Sequence, residues 1–168
     1  MRRRPTPDAV AAEVLDLLAG SSATLATAES LTGGRLAAAV TAVPGASAHF
    51  LGGFVTYASE LKESLLAVPH ALVQTYGVVS AECAGAMATG CRAATGATYA
   101  LSTTGVAGPD RQEGKPVGTV FVGIAGPDDV TTLAMELVGD RRQIQERACR
   151  EALSALCGIL RREQPPLG

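Results

Sequence analysis

The feature that most constrains the fold is a short polar turn late in the chain. Two β-rich runs, Val117–Ala125 and Val130–Val138, are separated only by Gly126-Pro127-Asp128-Asp129, and so short a connection joins antiparallel strands in a hairpin. Upstream the rhythm differs: helix-period apolar stripes alternate with short buried runs, the pattern of strands joined by crossover helices. A sheet that starts this way and closes on a hairpin is mixed. The expected architecture is therefore a three-layer α/β/α sandwich.

In chain order, Thr6 caps a helix with Pro7 at its first position, and Val10, Val14, Leu17 and Leu18 form its apolar stripe before Gly20 stops it. Thr24–Ala28 reads as the first strand, followed by a helix with Gly33 and Gly34 in its first turn, ending near Val43. Phe50–Tyr57 is the second strand, where Gly52-Gly53 allows close packing or a bulge. Ser59 is expected to cap a short helix over Glu60–Leu66, Pro69 starts another toward Tyr76, and Ser80 opens a longer one that exits at Gly96. Ala97–Thr103 is the third strand and Thr104–Pro116 a glycine- and proline-rich loop. After the hairpin, Asp140 caps a final helix with Ile144, Ala148, Ala152, Leu156, Ile159 and Leu160 on one face.

A chain of 168 residues suits one domain over 1–168, with a core from about 7 to 162. No apolar run approaches the ~20 residues of a membrane helix, and the amphipathic pattern after Met1 lacks the apolar core of a secretory signal. A cytoplasmic protein without membrane association is expected. The net charge of −2 is spread over scattered acids and bases, whereas nucleic-acid binding needs a clustered basic surface. The terminal arginines read as solvated ends, and the Gln164-Pro165-Pro166 tail as the one stretch resembling a linker. Cys83 with Cys91, and Cys149 with Cys157, lie eight apart within predicted helices. That spacing rises ~12 Å, too far for a disulfide within either pair, so buried free thiols are expected. His49 and His70 have no helical spacing to each other or to a carboxylate pair, which gives little support to a metal site.

Three stretches invite chemistry. In Ala26–Arg35, Ser30 stands at the corner between strand and helix, where short side chains and helix-terminal amides favour an anion. The alternative is that Ser30 or Thr32 merely caps the helix. Of the 14 basic residues only Lys62 and Lys115 are lysine, the type that loses its proton in a dry pocket. Lys62 falls in a helix's first turn, where the dipole disfavours a cation, unless it is an exposed partner of Glu60 or Glu63. The Tyr57…Lys62 spacing of five, with no glycine-rich nucleotide turn after the first strand, rules out a short-chain dehydrogenase pattern. The third stretch, Ser102–Asp110, leaves the third strand through Gly105 and Gly108, whose neighbouring amides suit a phosphate or an oxyanion. In a parallel arrangement all three stretches share one edge of the sheet. Asp140-Arg141-Arg142 adds a guanidinium for a phosphate, or else a surface cap.

Taken together, Thr27–Gly34, Gly53–Tyr57 with Lys62, Gly105–Pro109, Lys115–Val120 and Gly139-Asp140-Arg141, in that order, resemble the CinA C-terminal domain family, from about Val14 to Leu160. The resemblance implies a three-layer sandwich on a five-stranded mixed sheet. It also implies the activity of the family's stand-alone members, nicotinamide-nucleotide amidases, which hydrolyse nicotinamide mononucleotide to nicotinate mononucleotide and ammonia in pyridine-nucleotide salvage. Position by position it points to Ser30 as nucleophile and to Lys62 and Tyr57 as proton-transfer partners. Thr32, Gly33, Gly34, Thr104, Gly105, Gly108 and Arg141 would hold substrate and its phosphate. The oxyanion donors would be amides at Gly33-Gly34 or at Thr104-Gly105. Such chemistry calls for no metal and no cofactor.

Ser59 stands where the family often has asparagine, Arg111-Gln112 where it has Gly-Gly, and Gln145 where a second arginine is expected; these departures bear on phosphate affinity. The family's larger proteins add a pyrophosphatase-type domain and are associated with competence and DNA damage, so a chain without that domain is expected to be the stand-alone amidase. The competing expectation is a non-catalytic nucleotide-binding module or assembly partner. The apolar second and fifth strands would tolerate a homo-oligomeric, dimeric interface.

Overall fold

The computed structural model describes residues 4–164; Arg2, Arg3 and the Pro165-Pro166 tail lie outside the described residues. The elements are α1 (Pro7–Ser21), β1 (Leu25–Glu29), α2 (Arg35–Thr41), β2 (Phe50–Val55), α3 (Ser59–Leu66), α4 (His70–Tyr76), α5 (Ala81–Thr95), β3 (Tyr99–Gly105), β4 (Thr119–Ala125), β5 (Val130–Glu136) and α6 (Arg141–Glu163). One five-stranded sheet runs β2-β1-β3-β4-β5. β2, β1 and β3 are parallel, and β4 and β5 follow antiparallel as the hairpin requires.

Alternation along the strands separates two cores. Leu25, Leu101, Val120 and Val122 pack with α1, α2 and α6, whereas Ala26, Ala28 and Ala100 pack with Leu66 of α3 and with Cys83, Met87 and Cys91 of α5. The second core is built from small side chains, so α5 lies close to the sheet. A Cβ on Gly123 would stand 2.2 Å from the Ala84 carbonyl oxygen, which fixes glycine there. All four cysteines are buried and free, and burial pushes the Cys83 thiol up to about 11 and the Cys91 thiol up to about 12. No described helix is long and apolar enough to cross a membrane.

Several boundaries shift from the sequence reading for local reasons. Helix α1 runs through Gly20 and stops where Ser22 turns left-handed at φ 54. Gly33 and Gly34 precede α2 rather than forming its first turn, at φ 57 and 98, so they supply a left-handed turn that other residues reach only with strain. Ser59 is the first residue of α3, whose N-cap is Ala58 with no side-chain hydrogen bond, so the serine does not cap it. At Gly52-Gly53 both expectations hold. The β1–β2 register slips so that Leu51 bulges, and a Cβ on Gly53 would meet Thr27 Oγ1 at 2.3 Å. The sheet's two edges, β2 and β5, expose Leu51, Val55, Val130 and Leu133.

This topology marks the candidate place for a ligand. From β1 the chain crosses through α2 to β2 on one side, while β3 lies on the other side of β1 and leads on to β4. Open α/β sheets bind ligands at such a divergence, beyond the carboxyl ends of the strands. Ser30 continues β1 at that point, its amide donating to the Thr103 carbonyl at 3.0 Å.

Candidate active site

The Ser30 corner is held by a carboxylate. Glu29, the last residue of β1, is fully buried and accepts from the amides of Leu36 and Ala37 at 2.7 and 3.1 Å and from Thr32 Oγ1 at 2.7 Å. A carboxylate on the first amides of α2 satisfies donors the helix leaves unpaired and complements its dipole. Helix α2 is thus capped by Glu29, not by Ser30 or Thr32. The Thr32 hydroxyl also pairs with Thr103 Oγ1 at 2.8 Å. With its backbone fixed and its hydroxyl free of capping, Ser30 faces a cleft.

Lys62 meets it there. On α3 the side chains turned inward are Lys62 and Leu66, one turn apart, while Leu61 and Leu65 are exposed. Lys62 is 1% exposed, and its Nζ lies 3.0 Å from Ser30 Oγ and donates to the Thr56 carbonyl at 2.6 Å. Burial lowers its pKa from the ordinary lysine value, and Cys83, Glu113 and Glu60 pull it part of the way back. The reading of Lys62 as an exposed partner of Glu60 or Glu63 does not hold: Glu63 faces His70 instead.

The cleft encloses about 440 Å³ and is lined by Ser30, Leu31, Tyr57, Arg141 and the loop from Gly105 to Gln112. It brings together Ser30, Tyr57, Gly105, Gly108 and Arg141 of the expected site, with Lys62 beneath the serine. Arg141, the first residue of α6, donates to the Gly108 carbonyl and, at 2.8 Å, to the Tyr57 hydroxyl. Tyr57 is 59% exposed and has no hydrogen bond to Ser30 or Lys62. The structure therefore places it against Arg141 at the mouth, apart from the amine. Thr32, Gly33, Gly34 and Thr104 are not part of the cleft lining. The Thr104 hydroxyl donates to the Val78 carbonyl at 2.7 Å, and the Gly33 amide is committed to the Ser30 carbonyl at 3.1 Å. Among the described residues, the amides of Leu31, Ala107 and Gly108 have no acceptor, and all three residues line the cleft.

Two supports, Glu113 and Gln145, escape sequence reasoning because their partners are distant. Glu113 accepts from the amides of Val78 and Val79, and Lys115 donates to the Val79 carbonyl, which straps the cleft loop to the start of α5. Gln145, where a cleft arginine is expected, is buried and donates to the Leu31 carbonyl at 2.8 Å. Glu29 sits inside the quoted motif, but nothing local distinguishes a capping carboxylate from a catalytic one. Lys115 carries a sequence cue, since only it and Lys62 are lysines.

The fold and this geometry define a class: a small three-layer α/β domain with a Ser/Lys pair at the divergence of its parallel strands. The chain belongs to the CinA C-terminal domain family, whose pattern matches residues 7–160. It is 54% identical over 153 residues to a CinA-like protein of Frankia casuarinae, and 48% identical over 145 residues to one of a Geobacter species. These matches cover 91% and 86% of this chain and 35% of each relative, so the chain spans about a third of the length of these relatives. Among solved structures it is similar to the competence damage-inducible protein A of Klebsiella pneumoniae, with 35% identity, a TM-score of 0.92, and coverage of 95% of this chain and 100% of that one. A CinA superfamily protein of Escherichia coli superposes with 31% identity and a TM-score of 0.91, covering 95% of this chain and 93% of its own.

Proposed function

We propose that this domain is an amidohydrolase that converts the carboxamide of nicotinamide mononucleotide to the carboxylate, giving nicotinate mononucleotide and ammonia. The observation that supports it most is the 3.0 Å approach of a buried lysine amine to Ser30 Oγ. A desolvated amine is neutral at lower pH than an ordinary lysine, and a neutral amine accepts the serine proton. In this reading Ser30 Oγ bonds to the carboxamide carbon while its proton passes to Lys62 Nζ. The oxyanion develops toward the free Leu31 amide. The C–N bond then breaks and ammonia leaves with the proton returned by Lys62. Water attacks the acyl ester, gives its proton to the amine, and releases the carboxylate and Ser30. At the mouth, Arg141 and the amides of Ala107 and Gly108 provide donors suited to the phosphate.

Ammonia release from nicotinamide mononucleotide by the wild type, Ser30→Ala and Lys62→Ala tests the reading. Turnover in the wild type with a loss of roughly 10³-fold or more in both variants is expected. Turnover that survives Ser30→Ala removes the nucleophile. A wild type that binds the nucleotide tightly without turnover belongs instead to the non-catalytic module.

A further inference from the structure

Among the buried residues of α6, Gln145 alone carries an amide side chain, amid Ile144, Ala148, Cys149 and Ala152. A buried amide is costly unless it is bonded, and this one has a specific partner, the Leu31 carbonyl at 2.8 Å. Leu31 directly follows Ser30 and lines the cleft. The rest of this turn is held by its own backbone and by Glu29: Ser30 donates to Thr103, Gly33 donates to Ser30, and Glu29 takes Thr32 and the start of α2. The Leu31–Thr32 peptide has only Gln145.

That peptide matters because amide planes rotate as units. The oxygen of the Ser30–Leu31 plane is held by Gly33, which points its N–H the opposite way. Leu31 and Thr32 are the central residues of the turn that the Ser30–Gly33 bond closes. If their peptide plane rotates, ψ of Leu31 and φ of Thr32 change, that bond slackens, and the plane carrying the Leu31 N–H is no longer fixed against Ser30 Oγ. An oxyanion donor works by being aimed beforehand, and misplacement by an ångström is costly. One turn earlier on the same face of α6, Arg141 reaches the cleft mouth. Helix α6 thus supports both ends of the cleft.

We propose that Gln145 is a positioning residue for acyl transfer at Ser30: by holding the Leu31 carbonyl it keeps Ser30 Oγ and the Leu31 amide trained on the same developing oxyanion. The proposal rests on the Ser30 reading above, so its test includes a reagent that does not depend on the identity of the amide substrate. A fluorophosphonate forms a Ser30 Oγ–P bond as the P–F bond breaks; fluoride leaves, the serine proton goes to Lys62, and the phosphoryl oxygen takes the oxyanion position.

The full chain is compared with Gln145→Met and Gln145→Glu, which keep the side chain's length and lack its N–H donors. In whichever variant keeps the wild-type circular dichroism, labelling of Ser30 is expected to slow by roughly 10- to 100-fold, with kcat for nicotinamide mononucleotide falling in parallel and KM within about twofold. Labelling and kcat within twofold of wild type overturn the proposal, as does a raised KM at unchanged kcat. A wild type that is neither labelled nor active overturns this proposal together with the amidase reading. A wild type that is labelled but inactive on the nucleotide removes only the substrate assignment, and slower labelling of the variants still supports the role of Gln145.

Discussion

The two ends of the cleft contrast in almost every physical respect although their key residues, Tyr57 and Lys62, are five apart in sequence. At the floor Lys62 is 1% exposed, held by Thr56 and Ser30, and shifted in pKa by burial. At the mouth Tyr57 is 59% exposed and touches Arg141 in a solvated setting where charges are screened. The chain leaves β2 at the mouth and re-enters through α3, which turns Lys62 inward beside Leu66 and leaves Leu61 and Leu65 outward. In the proposed reading, neighbouring positions in sequence are thereby sorted into chemistry below and recognition above. Electrostatic work belongs at the floor, where water does not compete.

The largest effect that would break this contrast comes from Lys62→Met. Turnover should fall by roughly 10³-fold or more, because the serine loses its base. Stability should move the other way. The folded state depresses the lysine pKa, so between that depressed value and the unfolded value near ~10.4 the unfolded chain binds the proton more tightly, and native stability rises with pH. At neutral pH the wild type carries this penalty, whereas the methionine variant does not. It should melt several degrees higher at pH 7, and the advantage should shrink as the pH climbs toward ~10.4. Calorimetry across that range checks it; a variant less stable at pH 7 would mean that the bonds to Thr56 and Ser30 outweigh desolvation.

The next effect sharpens the floor by removing its frame. Glu29→Ala leaves the amides of Leu36 and Ala37 and the Thr32 hydroxyl without their buried acceptor. Hydrogen bonds to a charged group are worth ~1.5–3 kcal/mol each, so a loss of a few kcal/mol is expected, visible as a lower denaturant midpoint. Activity should fall as well, since the same carboxylate fixes the Ser30 turn.

What could be read in advance follows the same division. The alternation of elements, the hairpin and the shared strand edge are local or periodic signals, and the mixed five-stranded sandwich follows from them. Ser30 was legible because its corner combines a strand end with two glycines, and Lys62 because a lone lysine in a helix's first turn is locally unfavourable. In the fold it is out of place a second time, occupying the core side of α3 while Leu61 and Leu65 face solvent. Glu29, Glu113 and Gln145 were not legible as supports. Gln145 acts on a carbonyl 114 residues away and Glu113 on amides 34 and 35 away, separations at which no spacing rule operates. The alternative of a Ser30 or Thr32 cap rests on hydroxyls being the usual local caps, and it fails because the Glu29 carboxylate reaches forward seven residues to Leu36.

At the mouth the effects should be smaller and of another kind. Arg141→Ala removes a guanidinium that bonds to the Gly108 carbonyl and the Tyr57 hydroxyl, not to Ser30 or Lys62. KM for the nucleotide should rise about tenfold while kcat stays within a few-fold, and the variant's KM should respond less to added salt. A fall in kcat equal to the rise in KM would mean that the mouth takes part in the transition state and that the division is wrong.

The smallest change separates two roles for one hydroxyl. If Tyr57 relays the serine proton, as the family resemblance implies, Tyr57→Phe should lower kcat by roughly 10²-fold, the scale of general acid–base assistance. The geometry favours the other role, because the hydroxyl accepts from Arg141 at 2.8 Å and has no hydrogen bond to Ser30 or Lys62. Losing that acceptor frees Arg141 without unpairing a buried group, so KM should change about twofold and kcat hardly at all. The acidic limb of the kcat profile is the sharper readout. It reports Lys62, whose burial places the limb below the ordinary lysine range, and a phenol at the mouth should leave it unmoved; a displaced limb in Tyr57→Phe would join the two ends of the cleft into one proton-transfer chain.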